Sequence, residues 1–235
     1  MKLGWALKSF ALVLLSTIIP HLGMAQNTTP DCSHYEDPTI HIDAQFGEPQ
    51  YDYTKNIPAI LNLESDHNHS LREGIPLGVT DYEKILSTNT RTRVIQRSNG
   101  LSCIKIDHID IIIGYKNVVV YIADEIPPDS CGFHEVMAHE QKHLNVNQHL
   151  LQEAIPKIEQ QFLEHIRQRG VYHSIDPMLP RNDMQEFLAS VMNSFDTENV
   201  QRQQRVDSPE EYHRVSVSCN GQLAIISQHY RLTGQ

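Results

Sequence analysis

The chain has 235 residues, with 29 aspartates and glutamates against 19 lysines and arginines, and this acidic balance argues against nucleic acid as a partner because phosphate binding needs a basic surface. Forty per cent of the residues are hydrophobic, which suits a globular domain with a sizeable core.

Residues 1–25 read as a secretory signal: Lys2 and Lys8 make a basic start, Phe10 to Ile19 is apolar, and Gly23-Met24-Ala25 offers a small-residue cleavage site. The apolar run is shorter than the ~20 residues of a membrane span, and no later stretch reaches that length, so no transmembrane segment is expected. Removing 25 of 235 residues leaves 210, read as one domain; without Lys2 and Lys8, 17 bases face the 29 acids, a formal charge of −12. Four cysteines in an exported chain favour two disulfides, and of three possible pairings we expect Cys103 with Cys131 and Cys32 with Cys219.

Residues 26–45 are polar and predict an extended leader pinned at Cys32, with the folded domain occupying 46–235. From Gln50 to Leu63, and near Leu77 to Leu86, short apolar groups between turn residues predict short strands and one small helix. Between them Asp66-His67-Asn68-His69 reads as a solvated loop. The β core follows: Thr92, Val94 and Gln96 alternate with Arg93, Ile95 and Arg97, and 103–113 is rich in β-branched residues. Gly114-Tyr115-Lys116-Asn117 predicts a turn before 118–123, giving a hairpin that feeds a helix. The 118–123 strand is placed either to receive a substrate backbone by strand addition or simply to fill the core.

The stretch CGFHEVMAHEQKHLNVNQH at 131–149 is where chemistry is written. Pro127 and Pro128 stop the strand, Asp129 or Ser130 can cap a helix, and no Gly or Pro interrupts 133–155. Helical residues four apart stand above each other, so His139 and His143 can present two imidazole nitrogens to one metal ion. Glu140, on the same turn, is placed to take a proton from a water activated by that metal, and the pattern reads as a metalloprotease-type zinc site. Val136, Leu144, Asn147, Leu151 and Ala154 form the apolar side, with both histidines at its border.

Pro156 is expected to kink or end this helix, and Ile158, Phe162, Leu163 and Ile166 give a further helical stripe closing at Gly170. After a loop at 171–181, Asp183 opens a helix of five to six turns with Met184, Phe187, Leu188, Val191, Met192 and Phe195 on one side. Ser208-Pro209-Glu210-Glu211 starts another helix, and 222–230 either closes the sheet or forms a last helix.

A catalytic zinc usually takes three protein ligands. His149 has the spacing of metzincin sites but lacks the glycine that turns their chain. Glu198 continues the apolar stripe seven residues after Val191 and is the preferred third ligand, although Arg202 four residues on is an alternative partner for it. Glu211 and His213 are the other candidates, Glu211 being equally explained as a capping residue after Ser208.

Residues 131–146, the preceding Val120-Tyr121-Ile122-Ala123, and Asp207-Ser208-Pro209-Glu210-Glu211-Tyr212 ahead of Cys219 resemble a group of exported bacterial proteins of unknown function described as zinc-dependent proteases. The resemblance covers about the C-terminal half. It implies a zincin-like domain with His139 and His143 as ligands and Glu140 as base. The expectation is therefore an exported α+β protein, zincin-like, with a small, mostly antiparallel sheet packed on a long HExxH helix and C-terminal helices. Its expected activity is zinc-dependent hydrolysis of a peptide, protein or cell-wall peptide. The alternatives are a cell-wall peptide amidase with the same site and a non-catalytic, zinc-stabilised module of the cell envelope.

Overall fold

The computed structural model describes Cys32 and residues 36–66, 74–97 and 100–234. The signal expected at 1–25 and the His67 and His69 loop lie outside the described residues. Sheet and helices are both present: β1 (Thr39–Phe46), β2 (Gln50–Asp52), α1 (Ile57–Asp66), β3 (Gly78–Gln96), β4 (Ser102–Ile122), α2 (Cys131–Arg169), β5 (Tyr172–Ser174), α3 (Leu179–Val206) and α4 (Pro209–Thr233).

Every strand of the described residues pairs with β4. β1 and β2 run parallel to it, β3 and β5 antiparallel, so the sheet is mixed where a mostly antiparallel one was expected. β3 pairs with β4 from Gly78 opposite Ile122 to Gln96 opposite Ser102, and β3 has no second strand neighbour among the described residues.

The length of β4 corrects the expected turn at Gly114 to Asn117. β4 passes through that stretch, and the β3–β4 hairpin closes instead between Arg97 and Leu101, where Arg97 N–H donates to the Leu101 carbonyl at 2.9 Å and Gly100 takes φ 82°. The misleading residues accommodate an irregularity. The register slips between Asp81 and Glu83 opposite 116–119, with Asn117 at φ 50°. A bulge inserts one residue and flips the side-chain phase, so Ile113 and Tyr115 are buried on one side of it and Val118, Val120 and Ile122 on the other. A second slip between Arg91 and Thr92 does the same for Ile104 and Ile106 against Ile109 and Ile111. Gly114 is required for another reason: a Cβ there would lie 1.8 Å from the Gln45 carbonyl oxygen of β1.

Thr39 to Phe46, expected to belong largely to an extended leader, is a sheet strand, with Ile40, Ile42, Ala44 and Phe46 packed against the core. That core joins the isoleucines of β4 to Leu150, Ala154, Ile158, Phe162 and Ile166 of α2 and to Met184, Leu188, Val191 and Phe195 of α3. The same packing explains why α2 does not end at Pro156. The proline is exposed, and Ala154 and Ile158, buried on either side of it, hold both halves of the helix on the sheet. Ser130 caps α2 by accepting from Phe133 N–H at 3.1 Å, and Gly170, at φ 65°, ends it. α3 begins at Leu179, one turn before the expected Asp183, and runs to Val206.

α4 starts at the Ser208 cap and breaks at 218–221, where Cys219, Asn220 and Gly221 take φ of 53°, 55° and 76°. The break brings Cys219 onto Cys131, and the second bridge joins Cys32 to Cys103, so two disulfides form but in a different pairing from the expected one. The uninterrupted β4 is the reason. Cys103 stands at one end of it and Cys131 lies beyond the other, about 60 Å of extended chain away, whereas bridged Cα atoms lie within about 7 Å. Past the break, α4 lays Leu223 beside Gly132 in a second core with Phe133 and Val136. No helix of the described residues is long and apolar enough to cross a membrane.

Candidate metal centre

His139 and Glu140 are buried in α2 and His143 nearly so, on the side of the helix that faces β3 and the end of α3. The His139 and His143 Nε2 atoms lie 3.3 Å apart. Asp207, the residue that ends α3, brings Oδ1 to 3.2 Å from His139 Nε2 and 3.1 Å from His143 Nε2. The three donors form a near-equilateral triangle. Ligands about 2.0 Å from a tetrahedral ion are separated by about 3.3 Å, so this triangle has the dimensions of one face of such a coordination sphere. His139, Glu140 and His143 also offer donor atoms within 4.8 Å of one another. The Asp207 distances make it the closer third donor, whereas the Glu140 Oε2 atom already accepts from the Thr80 hydroxyl at 2.8 Å. The residues present thus fit a metal ion.

Each histidine is oriented from behind. His143 Nδ1 lies 2.6 Å from Gln203 Oε1. His139 Nδ1 is buried, makes no hydrogen bond, and has Glu211 Oε1 at 3.6 Å. Arg214 and Lys142 pin that carboxylate and lower its pKa to about 2, so it is anionic. Burial moves His139 below its ordinary pKa against the upward pull of Glu211, which keeps a nitrogen lone pair free for a metal. Carboxylate or carbonyl partners of this kind behind ligating histidines fix their tautomer.

Glu140 sits under β3. A Cβ on Gly78 would lie 2.7 Å from Val136 Cγ1 and 2.9 Å from Glu140 Oε1, so only glycine lets the strand approach this closely. β3 and the α3 to α4 junction form the walls of a cavity of about 1080 Å³ that contains His139, Glu140, His143 and Asp207. Tyr212 and His213 also line it, with the Tyr212 ring 5.9 Å from the His139 ring.

Glu198, the expected third ligand, stands elsewhere: its carboxylate is held by Arg202, with Lys157 at 3.6 Å, and Arg202 also binds Glu153. The buried face of α3 turns at Phe195, continuing through Asn199 and Gln203, four residues apart, towards Asp207. That four-residue polar series was the overlooked signal for the third donor. His149 is exposed on the outer side of α2, and Glu211 stands behind His139. The 118–123 strand is interior, paired with β2 on one side and β3 on the other, so the edge facing the cavity belongs to 78–82 of β3.

No protein-family model matches the chain, nor does any curated protein or solved structure.

Proposed function

We propose that this protein is an exported zinc-dependent metallopeptidase with a zincin-like site. The observation that carries the reading is the triangle of His139 Nε2, His143 Nε2 and Asp207 Oδ1, with the Glu140 carboxylate beside it in an open cavity. Two imidazoles and one carboxylate are an ordinary catalytic zinc set that leaves a position for water or substrate. Held there, zinc would polarise a scissile carbonyl and lower the pKa of a water towards about 7.

The remaining steps belong to the chain. Glu140 accepts the proton of the attacking water and returns it to the leaving amine, while the Thr80 hydroxyl fixes its rotamer through Oε2. The β3 edge beside it, which has no second strand neighbour among the described residues, is where an extended peptide would add as a further strand. Tyr212, whose ring lies 5.9 Å from that of His139, and His213 line the same cavity and are the side chains available to donate to the oxyanion. All four cysteines are spent in disulfides, which fits export and leaves no thiolate to close the metal's fourth position. The open cavity thus favours a hydrolase over a structural zinc module.

The test is elemental analysis of the purified protein, followed by hydrolysis assays on unstructured peptides and on cell-wall peptides. Stoichiometric zinc with cleavage of the first supports a peptidase; cleavage of the cell-wall peptides alone assigns the amidase reading. Stoichiometric zinc without cleavage of either substrate would leave the structural module.

A further inference from the structure

Behind His143 lies a buried group of three carboxamides and two phenols that a metal-binding motif does not require. Gln203 Nε2 donates to Asn147 Oδ1 at 2.9 Å and to Asn199 Oδ1 at 3.2 Å. Asn199 Nδ2 donates to the same Asn147 oxygen at 3.0 Å and to the Tyr115 and Tyr82 hydroxyls at 3.3 and 3.4 Å. Asn147 is fully buried, Asn199 is 5% and Gln203 7% exposed.

The order of these bonds has a consequence for His143. A primary amide donates from nitrogen and accepts at oxygen. As the amides stand, both contacts on the far side of Gln203 are to acceptor oxygens, so its nitrogen faces them and its own oxygen faces the imidazole. His143 Nδ1 therefore carries the proton, and Nε2 keeps its lone pair on the side of His139 and Asp207. The arrangement has a cost: Asn147 Nδ2 is buried without a hydrogen-bond partner, so it gives up its hydration for no bond in return. An apolar residue at 147 would avoid that. It would also remove the oxygen that receives both amide nitrogens.

We infer that Asn147, Asn199 and Gln203 form a positioning network for His143, in which Gln203 fixes the imidazole tautomer and ring orientation so that Nε2 meets the metal. This inference rests on the metal reading above. The two histidines then differ behind their rings: His139 Nδ1 faces the anionic Glu211 at 3.6 Å without a hydrogen bond, and His143 Nδ1 meets a neutral carboxamide anchored in the core.

The test compares the full chain, its Gln203→Leu variant and its Gln203→Glu variant, the last of which retains an acceptor oxygen. Zinc affinity is measured by competition with a chromophoric chelator, and the His143 ring is followed by proton–nitrogen NMR of the zinc-loaded proteins. We expect Nε2 ligation and a downfield, slowly exchanging Nδ1 proton in the parent chain. Gln203→Leu should weaken zinc binding about 10- to 100-fold, the usual scale for such an outer partner, and should lose the slowly exchanging Nδ1 proton, whereas Gln203→Glu, which keeps the acceptor but not the donor to Asn147 and Asn199, should retain that proton signal. Ligation of His143 through Nδ1 in the parent chain overturns the proposal without recourse to any variant. So does a folded Gln203→Leu protein with zinc affinity within twofold of the parent. A parent chain that takes up no zinc overturns the metal reading and this proposal with it.

Discussion

Asp207 Oδ1 lies 3.1 Å from His143 Nε2 although 64 residues separate them in the chain. α3 ends at that point with the Asp207 N–H donating to the Gln203 carbonyl at 3.0 Å, so the backbone that supplies the carboxylate is itself anchored.

Asp207→Ala should weaken zinc binding at least as much as loss of an outer-shell partner, about 10- to 100-fold or more, whereas Glu198→Ala should leave it unchanged. Chelator competition on the two variants reads this directly. An equal loss in both, or a loss in Glu198→Ala alone, would return the third position to Glu198.

Glu140→Gln should retain zinc and the melting temperature of the metal-loaded protein while lowering peptide hydrolysis about 100-fold or more, the scale of general acid–base catalysis. Glutamine keeps the side chain's size and can still meet the Thr80 hydroxyl. Zinc content is measured alongside turnover, because loss of metal in this variant would make Glu140 a ligand instead of a base.

Gly78→Ala should destabilise the protein by about 1–3 kcal/mol, the scale of overpacking in a filled site, since its Cβ would lie 2.7 Å from Val136 Cγ1 and 2.9 Å from Glu140 Oε1. Denaturant unfolding gives the stability change and the same sample gives turnover. An alanine variant with parental stability and activity would show that β3 does not press on Glu140.

Non-reducing peptide mapping should find Cys32 joined to Cys103 and Cys131 to Cys219. Replacing Cys131 and Cys219 together by serine should cost about 2–5 kcal/mol of stability, since the bridge spans 88 residues of chain. Any Cys103 to Cys131 peptide in the map refutes the pairing.

Metal removal should itself lower the melting temperature, because a ligand that binds only the folded state stabilises it by mass action. Calorimetry with and without a chelator checks this, and His139→Ala should abolish the difference.

The local part of this protein could be read from the chain. Four-residue spacing alone puts His139 above His143 with Glu140 on the same turn, and Ser130, Gly170 and Ser208 mark helix ends where they were expected or could be expected. The mixture of strands and C-terminal helices, and the presence of two disulfides, were equally legible. Even β1 announces itself, since Ile40, Ile42, Ala44 and Phe46 alternate with polar residues.

What the sequence left open depends on contacts between distant segments. Gly114 and Asn117 have the composition of a turn, and only the neighbouring strands β1 and β3 make them positions within one long strand. With that turn removed, Cys103 is carried far from Cys131 and both pairings change. Likewise Glu198 and Asn199 are adjacent on α3, and which of them faces inward is decided by how α3 lies on α2, a rotation of about 100° per residue that apolar periodicity fixes poorly where the buried residues turn polar. The same packing carries Asp207 to the two histidines, so the third donor is a property of the tertiary structure, whereas the first two are a property of a single helical turn.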